Sequence, residues 1–282
     1  MYRYRSIYFD DPPQPDRALD IFPTARKAGP VGLFFVHGGG WFAGTRGVYH
    51  PIMRAFAHEG IECASVAYRL SPGSLWQQID DVREGLRIYL EDRTARQLPP
   101  HVVMAGCSAG AHLALMAVLG EGGEPLWESV PGVSVQAPAL SFVPWDEIFP
   151  QIWSTMQRVI GTSYEENPSL YERASPIRLV RKGMPPVLIL HAEHEHMFPL
   201  EIAEQFQRTA LAEGVEVMIK HYRHAEHGFF YALDRKSQKQ AFADILAFVR
   251  SCSSGKISPS TPGHPRLNRI RISPANNANK HE

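Results

Sequence analysis

Gly106-Cys107-Ser108-Ala109-Gly110 follows the run His101-Val102-Val103-Met104-Ala105 and leads into the apolar stretch Ala111-His112-Leu113-Ala114-Leu115-Met116-Ala117-Val118-Leu119. A β-branched run, a tight turn and a helical run make the setting of a nucleophile elbow. There a serine is held out at the C-terminal edge of a sheet, over the N-terminus of a helix. The turn leaves no room for side chains at Gly106 or Gly110, which would collide with the neighbouring strand and helix. Alone the five-residue motif is weak evidence, so its surroundings carry the reading.

Working outward, short runs rich in β-branched and aromatic residues recur at 31–36, 61–68, 101–105, 133–137, 187–190 and 217–222, and these read as strands. Several are apolar on both faces, as a parallel strand covered by helices on each side requires. Between them Leu75, Ile79, Val82, Leu86 and Tyr89 fall on one stripe of a helix. Pro51 and Gly60 bracket a second helix, and Leu200, Ala203, Phe206 and Ala210, closed by Gly214, make a third. Strands alternating with helices imply an α/β fold with an open, mostly parallel central sheet and helices on both faces.

The 282 residues read as one large domain over 1–250, with a cap-like insertion at about 141–183, where the pattern weakens into aromatics, prolines and short helical pieces. Residues 251–282 carry six Ser, four Pro and four Asn and read as a disordered tail. A balance of 29 basic and 29 acidic residues gives no nucleic-acid footprint. Three cysteines are too few for a disulfide scaffold and suit a reduced compartment, so a cytoplasmic location is expected. No stretch approaches a membrane span, and no partner beyond a small-molecule substrate is implied.

The second chemical signal is His37-Gly38-Gly39-Gly40-Trp41, directly after the run at 31–36. Three glycines bare the main chain. The N–H groups of Gly39 and Gly40, with that of Ala109, can then meet the oxyanion of a tetrahedral intermediate. A phosphate loop is the competing reading, but no Lys-Ser/Thr follows and no Gly-x-Gly-x-x-Gly is formed. A serine needs a base, and in the order Ser, acid, His the base follows the last strand. His224 and His227 both qualify. His227 is preferred because Gly228-Phe229-Phe230 follows it, and Phe229, with Trp41, is expected to wall the substrate pocket. The acid belongs to the segment 191–199, where Glu195 and Glu193 compete, Glu195 standing at the better distance from the strand end. Its task is to accept the imidazole N–H and stabilise the imidazolium. His191, His194, His196, His221, His224 and His227 also admit a metal reading. No His-Glu-x-x-His occurs, however, so no metal and no cofactor are assigned. Cys107 reads as buried packing rather than a nucleophile. Trp145, Phe149, Trp153 and Met156 are expected either to line the acyl pocket or to pack the core.

Together these segments, with Ala18-Leu19-Asp20-Ile21-Phe22-Pro23, Tyr68-Arg69-Leu70-Ser71-Pro72 and Ala174-Ser175-Pro176-Ile177, resemble the α/β-hydrolase serine esterases around the hormone-sensitive-lipase and kynurenine-formamidase branches, with their bacterial feruloyl and acetyl xylan esterases. The resemblance runs from about Asp16 to Val249. It implies that Ser108 is acylated and that Gly39 and Gly40 hold the oxyanion. The family commonly has Asp where Glu195 stands and Gly where Ala192 stands. The implied activity is hydrolysis of short-chain or aryl carboxylic esters through an acyl-enzyme. Arylformamide hydrolysis is the alternative, and a non-catalytic binding module is disfavoured because serine and histidine are both present.

Overall fold

The computed structural model describes residues 4–24, 28–123 and 126–253. Among the described residues eight strands form one sheet: β1 Arg5–Tyr8, β2 Ala18–Phe22, β3 Val31–Val36, β4 Cys63–Val66, β5 His101–Cys107, β6 Gly132–Gln136, β7 Val187–His194 and β8 Val217–Glu226. Their spatial order is β1-β2-β4-β3-β5-β6-β7-β8, parallel from β4 to β8, with β2 joining β4 and β1 joining β2 antiparallel. The helices are α1 His50–His58, α2 Leu75–Ala95, α3 Ala109–Leu119, α4 Pro150–Ile160, α5 Pro168–Arg173, α6 Leu200–Ala212 and α7 Lys236–Ser253. This is the α/β-hydrolase arrangement.

The double-faced apolar runs have the expected cause. In β3 every residue is buried: Phe34 and Val36 pack into a core shared with α2, α3 and α6, while Val31, Leu33 and Phe35 pack into a second core with α1 and α7. Successive side chains of a strand point to opposite faces, so a strand between two helical layers must be apolar at every position. Helix α3 is buried at all eleven positions, which explains why its sequence shows no polar stripe. The stripe Leu75, Ile79, Val82, Leu86 and Tyr89 faces the first core.

Strands β1 and β2 add to the six runs. β1 is an exposed edge, and β2 carries Asp20 at its centre. That carboxylate is buried yet satisfied, accepting from Ser6 Oγ at 2.6 Å and pairing with His50 Nε2 at 2.9 Å. Such a charge is tolerated only when paired in this way.

The region expected as an insertion holds α4 and α5, and α4 reaches over the C-terminal edge of the sheet. Residues 251–253 complete α7, and the remainder of the expected tail lies outside the described residues. No described helix is long and apolar enough to cross a membrane.

Candidate active site

Four parallel strands deliver the site from one edge. His37, Ser108, Glu195 and His227 are each the first residue beyond the end of a strand, after β3, β5, β7 and β8 respectively. The chain leaves β3 toward β4 on one side and later returns as β5 on the other. The loops after β3 and β5 therefore diverge at the switch point where open α/β sheets hold their ligands.

Ser108 sits at φ 54° and ψ −122°, a conformation that costs a side-chain-bearing residue of order 1–3 kcal/mol and persists only when its surroundings enforce it. Here the Ser108 N–H donates to the Gln136 carbonyl at 2.9 Å, while the Ser108 carbonyl accepts from His112 N–H at 3.0 Å. The two glycines of the elbow allow this packing. A Cβ on Gly110 would be driven into the Val36 and His37 carbonyls at the end of β3, and one on Gly106 would lie 2.5 Å from the Gly110 carbonyl oxygen. The Ser108 hydroxyl makes no hydrogen bond among the described residues and faces a cleft of about 530 Å³.

His227 lines the same cleft. Its Nδ1–H donates to Glu195, with Oε2 at 2.8 Å and Oε1 at 3.0 Å, which leaves Nε2 as the acceptor. The Glu195 side chain is completely buried, and Oε1 also accepts from Met197 N–H at 2.8 Å and Phe198 N–H at 3.3 Å. Burial alone would raise the Glu195 carboxyl. The His227 hydrogen bond and charge, with these two amides, outweigh it and hold the group below the ordinary carboxylate range. The competing pair is turned elsewhere. Glu193 is exposed and accepts from the His224 main-chain N–H at 2.7 Å, and the His224 side chain is 84% exposed. Strands β7 and β8 run four residues past the ends read from the sequence, and that extension sets Glu195 and His227 side by side.

The glycine loop is held from below. The Tyr231 hydroxyl lies under the loop beside Gly38, and its ring packs on Tyr49 with centroids 5.1 Å apart. A Cβ on Gly38 would sit 2.8 Å from that phenolic oxygen. This leaves the N–H groups of Gly39 and Gly40, which donate to no acceptor among the described residues, at the cleft beside Ser108. Gly39 has φ +129°, and a side chain there would strike the Ala43 carbonyl, so only glycine serves. The Ala109 N–H is the first of α3 and has no intrahelical acceptor. His37 is buried and stacked on Tyr68 with ring centroids 4.3 Å apart, and burial pushes it down to about 4, so it anchors the loop as a neutral ring. Burial likewise pushes the Cys107 thiol up to about 12, which keeps it protonated.

Trp41 borders the cleft, but its indole is 2% exposed and anchored by Nε1–H donating to His112 Nδ1 at 3.3 Å. Phe229, expected in the pocket wall, lies instead in the core against Tyr222, with ring centroids 5.1 Å apart; Gly228 and Tyr231 take its place at the cleft. Helix α4 covers the site through Ile152 and Thr155, while Met156 is fully buried and Trp153 packs on Tyr164 and Tyr171. Phe149 is 49% exposed, and Trp145 packs on Phe198 away from the cleft. Sequence reading missed Val48, Met197, Phe198 and Tyr231. Of these, Met197 and Phe198 carried a usable signal, being apolar residues beside the candidate acid. From the histidine-rich segments, Glu193, His194 and His224 bring donor atoms within 4.8 Å of one another, all on the exposed surface.

The BD-FAE family model matches residues 19–210, more than half of the chain. The chain belongs to the BD-FAE family. A second model, the dienelactone hydrolase family, matches residues 169–252 of this BD-FAE chain, the part that carries the candidate acid and base. Among curated relatives, Esterase LipC of Mycobacterium tuberculosis is 29% identical over 260 residues, covering 81% of this chain and 60% of LipC. The chain thus spans about three fifths of that relative. Solved structures that share the fold include two esterases with bound inhibitors. Esterase 2 of Thermogutta terrifontis, phosphonylated by sarin, has a TM-score of 0.70 at 20% identity, covering 82% of this chain and 88% of its own. Esterase B of Lactobacillus rhamnosis, inhibited by a tributyrin phosphonate, has a TM-score of 0.74 at 19% identity, with 90% and 87% covered.

Proposed function

We propose that this chain is a serine hydrolase of carboxylic esters, acting on short-chain or aryl esters through an acyl-enzyme. The observation that carries the reading is the buried Glu195 carboxylate fixing His227 in the tautomer whose Nε2 accepts a proton, on the same cleft as an unengaged Ser108 hydroxyl. Ser108 Oγ attacks the ester carbonyl as His227 takes its proton, and Glu195 stabilises the imidazolium without taking that proton. The N–H groups of Gly39, Gly40 and Ala109 receive the oxyanion. Each such donor is worth roughly 2.7–4 kcal/mol of barrier because it is oriented before charge develops. His227 then protonates the leaving alcohol and activates the water that releases the acid. The relatives named as esterases support the same chemistry.

The test is hydrolysis of p-nitrophenyl acetate and butyrate, measured beside N-formylkynurenine. The expected result is turnover of the esters with kcat/KM well above that for the formamide. Preferred cleavage of the formamide would replace the ester reading with the amide one. A folded chain that accelerates neither would overturn both.

A further inference from the structure

Phe198 has two faces. One borders the catalytic cleft, with its ring centroid 5.9 Å from that of His227. The other closes a second cavity that runs beneath the ends of β6 and β7, between Pro138, Leu140, Trp145, Ile189 and Ile202. That side pocket has about 10 Å³ of free space, room for about one water, and its walls are chiefly apolar. Phe198, 7% exposed and with its ring centroid 6.4 Å from that of Trp145, is the one residue that lines both spaces. The Phe198 main-chain N–H, which donates to Glu195 Oε1, is kept by any substitution other than proline.

We propose that Phe198 sets the length of one arm of the ester that the cleft accepts, by closing the pocket behind it to the apolar end of a straight alkyl chain. The proposal rests on the ester reading above. A chain leaving the carbonyl at Ser108 toward β7 meets the phenyl ring. With the ring gone, it continues between Leu140, Ile189 and Ile202, where each methylene taken from water is worth about fourfold in binding. Apolar walls discriminate chain length in this way, by a modest factor per methylene. The arm is either the acyl chain or the alkyl chain of the alcohol. The shared chemistry is a linear hydrocarbon, and two substrate series separate the sources.

The experiment measures kcat/KM for p-nitrophenyl acetate, butyrate and octanoate, and for ethyl, butyl and octyl acetates. It compares the unmodified chain with Phe198→Ala, Phe198→Leu and the double variant Phe198→Ala with Ile202→Phe. In one series the ratio of the longest to the shortest substrate is expected to rise by about tenfold or more in Phe198→Ala. It should rise less in Phe198→Leu and fall back when the phenyl group at 202 refills the pocket. Phe198→Leu keeps most of the packing and stands as the reference should Phe198→Ala not fold. Ratios unchanged in both series in a folded variant that still hydrolyses acetate would overturn this proposal alone. So would a rise that Ile202→Phe leaves in place. Absence of ester turnover by the unmodified chain would overturn the ester reading, and this proposal with it.

Discussion

Ser108→Ala is expected to lower kcat for a short aryl ester by about a millionfold, to the level that the amides and binding alone sustain. The magnitude follows from the loss of the only hydroxyl that the elbow presents to His227. Cys107, one residue away, cannot substitute, because its thiol is buried and protonated. Residual catalysis over water of about 10³–10⁴ is expected from the oxyanion donors, which the substitution leaves in place. Alanine adopts the same main-chain conformation as serine at this position, and the bonds to Gln136 and His112 are main-chain bonds. Thermal unfolding should therefore be unchanged. The check is steady-state kinetics beside a melting curve. A loss of less than about a hundredfold would remove Ser108 from the nucleophile's role.

Glu195→Gln is expected to lower kcat by on the order of 10⁴, because an amide that turns its NH₂ toward Nδ1 selects the wrong imidazole tautomer. Glu193→Gln, on an exposed carboxylate that meets His224 rather than His227, is expected to change kcat little. The same substitution at 195 has a pH signature in stability. The Glu195 carboxyl is held below its ordinary value in the folded chain, against burial, by His227 and the amides of Met197 and Phe198. A depressed folded pKa means that the unfolded chain binds the proton more readily. The stabilisation is thus fully present above the unfolded value of about 4.3 and is lost as pH falls through the lower folded value. Urea midpoints of the unmodified chain and Glu195→Gln should therefore differ most near neutrality and converge below pH 4. A gap that widens on acidification would contradict the assignment.

Much of this was written in the sequence, for identifiable reasons. The central parallel strands stand out because a strand covered on both faces is apolar nearly throughout, as β3 is, while the edge strand β8 is marked by its apolar start Val217-Met218-Ile219. The elbow stands out because its glycines sit where carbonyl oxygens leave no space for Cβ atoms. β1 and β2 escaped the reading because one is an exposed edge and the other buries a paired aspartate, so neither shows the apolar run. The placing of Phe229 in the core was equally illegible. β8 runs on to Glu226 and the chain turns at Gly228, which sends Phe229 inward and brings Tyr231 under the glycine loop. That turn depends on strand pairing with β7, a long-range contact that local spacing does not encode. The lining of the cleft by Ile152 and Thr155, rather than by the aromatics of α4, was hidden likewise. Both faces of that helix are partly covered, and the packing of Trp153 on Tyr164 and Tyr171, with Met156, Val159 and Ile160 in the core, decides which face meets the cleft.

The central claim is that Ser108, unlike the chain's other hydroxyls, is made nucleophilic by its place before His227 and the bare amides of the glycine loop. Peptide mapping by mass spectrometry after exposure to a fluorophosphonate tests it most directly. The account gives one phosphonyl group per chain, on Ser108, prevented by prior acylation with a slow ester. Full modification at another residue, or a folded chain left unmodified, would contradict it.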